Sequence, residues 1–346
     1  MARIEVLQAA TGTPLIPRAS YVRTLRPDLA GDFARARSRI LFVPVHLAII
    51  VTSVIVIVYG LVPWFVVPLL SLVIGASFAG LTFVAHEAMH GGIVRSKRVQ
   101  WVLGFLGFLP FLVSPRLWTA WHNVDHHARA NLPDDPDAYP TLEHYKRSGG
   151  ARFACDMFSL GGGRWRGVLS LILGFSVQSA AQLILAQRAH ILTARQQRRA
   201  YLETGSMVVI WGVIAALVGF VPFLFIYAMP LLVANAIVMA FILTNHSLSP
   251  RVEVNDPLVS SLTVTTPRII EWLTLGFGFH VEHHVFPAMS TRHAPAVRKL
   301  LQEHWPERYR SMSLVEAIRR LHQSARVYKT STTLYDPKTD VEYATL

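Results

Sequence analysis

The sequence predicts an all-α integral membrane protein: four transmembrane helices as two hairpins, interfacial helices beside them, and a cytosolic helical cap carrying a metal site. Three observations lead there. Of 346 residues, 52% are apolar and only 16% charged, with a mean hydropathy of +0.37, a balance outside the usual globular range. The charges leave two long gaps. Eight of the 15 histidines fall into three short motifs.

No charged residue lies between Arg39 and Glu87 or between Glu203 and Arg251. Each gap is about twice the roughly 20 residues that one helix needs to cross the hydrocarbon core, so each holds a hairpin. Gly60 to Pro63 interrupts the first gap and Met229-Pro230 the second, where turn and breaker residues are expected. The spans are therefore placed near 40–60, 64–85, 207–228 and 230–246. All 33 Lys and Arg residues lie outside the gaps, so the positive-inside rule puts both hairpin tips outside and both termini in the cytoplasm. Residues 1–39, with Arg3, Arg18, Arg23, Arg26, Arg35, Arg37 and Arg39, read as a cytosolic arm rather than a cleavable signal peptide.

Residues 40–300 form the membrane unit and 301–346 a cytosolic helix and tail. Between the hairpins, Trp101 to Pro115 is apolar but too short to cross, which fits an interfacial or re-entrant segment. Val168 to Leu185 is long enough to cross. A fifth span would put the last two histidine motifs on opposite faces, so this stretch is laid in the interface. Near the C-terminus a helix is expected over 295–304, a second is opened by Ser313 with Glu316 in a capping-box pattern, and about the last twenty residues read as polar tail. The single cysteine, Cys155, excludes an intrachain disulfide and Cys-x-x-Cys metal sites. A net charge of +12 suits anionic headgroups or an acidic protein partner, or follows from topology alone.

The motifs are His86-Glu-Ala-Met-His90, His122-Asn-Val-Asp-His126-His127 and His280-Val-Glu-His283-His284. At this histidine content, one His-x-x-His-His pattern arises by chance in roughly a few per cent of chains, and three coincidences are rarer still. On an α-helix, residues three or four apart share a face, pairing His86 with His90, His122 with His126, and His280 with His283 or His284. Imidazole suits Fe, Zn, Cu and Ni, and eight ligands exceed what one ion accepts, so two ions are implied. His246, at the end of the fourth span beside Asn245, is a ninth candidate on the same face. Glu87, Asp125 and Glu282 either accept the free N–H of a ligating imidazole or are solvated carboxylates. Arg129, Asn131, Asp134, Asp135 and Asp137 follow in a Pro-broken loop, where the acids orient histidines or cap a helix. His46, His144, His190, His293, His304 and His322 lack a companion at ligand spacing and read as structural or surface residues.

His-x-x-x-His, His-x-x-x-His-His and His-x-x-His-His, in this order around two hairpins, resemble the integral-membrane fatty acid desaturases over about residues 40–300. The most specific piece is His280 to Pro287, including the Phe-Pro after the third motif. His86 to Gly91 and the Asp-rich run at 134–137 are also similar to carotenoid hydroxylases and ketolases of the same superfamily. The resemblance implies two non-haem Fe ions that use O2 and two electrons to abstract hydrogen from an unactivated C–H bond, with no catalytic residues beyond the metal ligands. A fused haem domain would carry His-Pro-Gly-Gly, which is absent, so the electrons come from a separate carrier, a ferredoxin or small cytochrome. The expected partners are a lipid acyl substrate, the bilayer and that carrier, with no nucleic acid; the expected location is a bacterial inner membrane. Trp101, Phe105, Phe111, Trp118 and Trp121 line a substrate channel or simply pack in the core or against lipid. Acyl desaturation competes with hydroxylation or ketolation of a terpenoid or other lipid, and more remotely with metal transport, which charge-free spans disfavour.

Overall fold

The computed structural model describes residues 14–161, 165–187 and 189–346, and Arg3 with the start of the arm lies outside the described residues. The described part of the arm contains a helix, α1 (Arg18–Leu25). The first charge gap holds α2 (Phe42–Val58) and α3 (Val67–Met89), which reverse direction at Gly60, φ +61°. The packing of α3 against α2 and against the last span relies on small residues, as is common where helices meet in lipid. A side chain at Gly80 would collide with the His46 ring from α2, and one at Gly75 would come within 2.7 Å of the Pro230 carbonyl.

Between the first two histidine motifs, α4 (Lys97–Phe108) runs back along α3, and the chain then bends by 104° into a segment leading to Arg129. Backbone carbonyls freed by such a break at membrane depth need donors, because lipid offers none. Four side chains supply them: Thr82 Oγ1 donates to Gly107, Trp211 Nε1 to Leu109, Tyr227 OH to Pro110 and Thr204 Oγ1 to Leu112, each at 3.0 Å. Leu112 has φ +59° at the turn. Glu203 holds the mouth of this loop, accepting from Trp101 Nε1 at 3.0 Å and from Ser114 Oγ and the Arg116 backbone.

Next come α5 (Val168–Leu185), α6 (Ala194–Val218) and, after a π-helical turn at Leu224–Ala228, α7 (Met229–His246). The second gap turns at Gly219 (φ +82°) rather than at Met229-Pro230. Pro230 occupies the first turn of α7, where its missing N–H costs little, so Phe220–His246 runs on past it. Among the described residues five helices are long and apolar enough to cross a membrane: Arg37–Val58, Trp64–Met89, Val168–Leu185, Ala194–Val218 and Phe220–His246. One more than the charge gaps indicate, α5 packs against α7 through Ser176, whose N–H and hydroxyl meet the Asn235 amide at 3.0 Å.

The cap comprises α8 (His280–Val285), α9 (Ala294–His304) and α10 (Leu314–Gln323). Ser313 Oγ caps α10 at the Glu316 N–H, but the Glu316 carboxylate pairs with Arg319 and Arg320 instead of closing a capping box. The expected helical architecture holds, with short strands added in the cap. Strand β1 (Thr263–Thr265) pairs in parallel with β2 (Ser311–Ser313), and the expected polar tail folds into an antiparallel meander, β3 (Val327–Tyr328), β4 (Thr333–Asp336) and β5 (Val341–Ala344). Val, Thr and Tyr favour the pleated surface, and Tyr328 OH and the Leu346 N–H tie the meander to the Ser249 and Leu248 carbonyls at 2.7 and 2.9 Å.

Replacing Tyr227 by Phe keeps the ring and strips the donor from the Pro110 carbonyl. A cost of about 1–3 kcal/mol is expected for one carbonyl left unsatisfied, read as a lower thermal midpoint in detergent, whereas the exposed Tyr201→Phe should leave it unchanged.

Candidate metal centre

The site forms where the ends of α3 and α7 meet the π-helical segment Thr119–His126 and the short helix α8. Four imidazoles, His86, His90, His122 and His283, bring ring nitrogens within 4.8 Å of one another, and His126, His246, His280 and His284 form a second such group. His127 lies beside the first group, its Nε2 3.1 Å from His283 Nε2. All nine sequence candidates thus gather in one place, eight of them in two groups.

The π-helical segment decides how the second motif is shared. Its hydrogen bonds link i to i+5, so His122 aligns with His127, ring centroids 4.9 Å apart, and His126 turns to the other group. His122 and His126 remain stacked, ring centroids 5.2 Å apart, and share a third grouping with Asp137, so the helical pairing holds in space while the two rings serve different groups. In α8 the four-residue spacing joins His280 to His284, and His283 crosses to the group of His86.

In the second group His246 Nε2 lies 3.2 Å from His126 Nε2, 3.1 Å from His284 Nε2 and 2.6 Å from His280 Nε2. Neutral imidazole has one donor and one acceptor nitrogen, so Nε2 atoms converging on a common partner cannot all satisfy one another. Bonds of about 2.1 Å to a shared ion would hold neighbouring nitrogens roughly 3.0–3.4 Å apart, which matches the His126 and His284 contacts, while the His280 contact is closer. The donor set fits a pair of metal ions: two groups of imidazoles with no thiolate among them.

The outward-facing nitrogens are fixed selectively. His126 Nδ1 donates to Asp135 Oδ1 at 3.0 Å and His246 Nδ1 to the Ser260 carbonyl at 2.9 Å, which sets the tautomer that frees Nε2. Asp135 is itself held by the Asn131 N–H at 2.7 Å and the Asp137 N–H at 3.0 Å. Burial alone would push the Asp135 carboxyl up, but His126 and those N–H donors hold it below its usual range, whereas burial pushes Asp137 up to about 6. Trp121 Nε1 and Gln178 Nε2 both donate to Asp137, at 2.8 and 2.7 Å, so α5 braces the second motif. Burial, then the neighbouring histidines, lower His280 and His284 well below 6.5 and His283 to about 3. These imidazoles stay neutral, the form that ligates metal.

The acidic candidates divide differently from the sequence expectation. Glu87 turns away from the imidazoles to Arg39, at 2.5 Å, and Ser290. Asp125 pairs with Arg129. Glu282 accepts from Tyr309 OH at 2.5 Å and Thr263 Oγ1 at 2.6 Å. None accepts an imidazole N–H; each ties a motif to the cap or its own helix. Asn245 is fully buried beside His246 with both amide atoms unpartnered, a costly arrangement that fits a polar ligand or ordered water. Of the proposed channel residues, Trp118 packs its ring on His86, His90 and His122 at 5.4, 5.2 and 4.7 Å, and Trp101 is exposed. His46 is buried with both nitrogens unpartnered; His144 and His322 are exposed.

Asp135→Asn removes the negative charge behind His126. A loss of about 10–100-fold in metal affinity is expected, the usual range for such partners, measured by competition with a chelator.

Set against known proteins, residues 20–315 match the profile named Fatty acid desaturase. The chain is 23% identical over 258 residues to the chloroplastic omega-6 fatty acid desaturase of Spinacia oleracea, covering 71% of this chain and 55% of that one. It is 24% identical over 254 residues to the corresponding protein of Arabidopsis thaliana, covering 70% and 55%. Against the sn-1 oleoyl-lipid 12-desaturase of Anabaena variabilis it is 22% identical over 265 residues, covering 71% of each. The match thus takes in only about half the length of the chloroplastic relatives.

Proposed function

The chain belongs to the fatty acid desaturase family, and on that premise we propose that it is a membrane-bound, oxygen-dependent di-iron enzyme that introduces a double bond into a lipid acyl chain. The observation that carries the proposal is the gathering of nine histidines, eight buried and His122 half-buried, with eight of them in two groups of imidazole nitrogens at ligand spacing and His127 beside the first. In this reading His86, His90, His122, His127 and His283 hold one iron, and His126, His246, His280 and His284 the other. When bound, the irons supply the oxidising power to remove two hydrogens from an unactivated C–H pair, with O2 and two external electrons consumed.

The chain's own residues position and dry the site. Asp135 and the Ser260 carbonyl keep the Nε2 lone pairs of His126 and His246 turned inward, Trp118 walls off His86, His90 and His122, and the Asn245 amide offers a polar contact beside His246. The names of the relatives, omega-6 desaturase and oleoyl-lipid 12-desaturase, favour a monounsaturated chain held in a lipid as substrate. The basic balance of the charged segments favours a cytoplasmic metal site in a bacterial inner membrane, supplied by an acidic ferredoxin or small cytochrome.

Parity supports four complete crossings. The second and third motifs meet in one cluster, so an even number of α5, α6 and Phe220–His246 crosses between them. The two longest cross, and α5 inserts partway.

Expression in a host without its own desaturase, followed by lipid mass analysis, should give new acyl chains lighter by two hydrogens; oxygenated lipid or pigment would overturn the desaturase reading in favour of hydroxylation. The purified protein should hold two irons per chain, and a stoichiometric single zinc would contradict that. His90→Ala, His127→Ala and His284→Ala should each lose metal and turnover, while His144→Ala and His322→Ala keep both.

A further inference from the structure

Outside the metal centre, the cap carries a groove of about 860 Å³ between α1 and residues 254–255. Three guanidiniums line it, from Arg18, Arg23 and Arg26, with the apolar side chains of Val22 and Val254 and the amide of Asn255 between them. Among the described residues none of these arginines has a carboxylate partner. Arg18 is half-buried, and burial lowers its pKa, so a cation has been drawn partly out of water without an anion to offset the cost.

The groove also abuts the metal centre. Arg18 Nε donates to the Val285 carbonyl at 3.1 Å, next to His284, and Asn255 Nδ2 donates to the His127 carbonyl at 2.9 Å. These bonds leave the Arg18 terminal nitrogens free and hold Asn255 Oδ1 buried with no partner. The site therefore offers several forked donors for an anion, one acceptor for a hydroxyl or amide N–H, and apolar walls. A volume of this size suits a small ligand, and the planar fork of arginine matches phosphate oxygens two at a time.

We propose that this groove binds a phosphate-bearing group and so seats the polar head of the acyl substrate against the outer wall of the metal centre. That the phosphate belongs to an acyl substrate rests on the desaturase reading; that the groove takes phosphate does not. The same chemistry reaches it from a phospholipid headgroup or from a soluble phosphorylated carrier.

The test is calorimetric titration of the purified full chain in detergent with two probes, dihexanoyl-phosphatidylglycerol and pantetheine 4′-phosphate. The probe bound more tightly names the source. Arg23→Gln with Arg26→Gln should weaken that probe by about 10-fold or more, with iron content and thermal midpoint kept. Arg23→Lys with Arg26→Lys, which keeps the charge and loses the fork, should fall between. Equal affinity in wild type and the Gln double variant would overturn the proposal. With polyglutamate as a third titrant, a double variant that loses affinity for it while keeping both phosphate probes would also overturn the proposal and make the groove a docking face for an acidic protein. Phosphate binding retained in a protein that makes no unsaturated lipid would overturn the desaturase reading and leave the groove standing.

Discussion

The structure depends on one constraint: buried imidazole nitrogens must find a common partner. Nine histidines reach one place from α3, the π-helical segment after α4, the end of α7 and the short helix α8. Without a shared ligand their burial is unfavourable, since hydrogen bonds among themselves satisfy only part of the set. Metal therefore acts as a cross-link between segments far apart in sequence, and binding free energy becomes folding free energy. Chain topology obeys the same demand: α4 enters beside α3 and turns back, and only an even number of crossings separates the second motif from the third.

Around that centre the polar side chains divide their work. Asp135 and the Ser260 carbonyl act directly on imidazoles. Glu87, Glu282 and Asp256 hold the frame instead. Asp256 is wholly buried, accepts from Tyr21 OH at 2.9 Å and pairs with Arg308 at 2.5 Å, locking α1 to the cap. Inside the bilayer the division recurs, with Thr82, Trp211, Tyr227 and Thr204 serving the carbonyls of the fold-back loop.

Much of this was legible in the sequence because the signals are strong and local. Two uncharged stretches must be hairpins when nothing shorter fills them, and three histidine motifs at ligand spacing point to metal. What the sequence did not give depends on geometry finer than spacing. A regular α-helix pairs His122 with His126; one widened turn also brings His127 beside His122, so that the motif serves both groups. Met229-Pro230 looks like a break, yet proline in a first helical turn is harmless and Gly219 turns the chain. The acid that orients His126 lay among several in the Asp-rich loop, and only the fold selects Asp135. The terminal meander has strands of two to four residues, too short for alternation to stand out against a polar tail.

The central claim is that two ions sit in a cage of imidazoles with no sulfur. X-ray absorption at the iron edge of the purified protein tests it most directly. The account predicts a first shell of nitrogen or oxygen at about 2.1 Å with the outer-shell scattering of several imidazoles per iron. A sulfur shell, or a signal from zinc in place of iron, would contradict it.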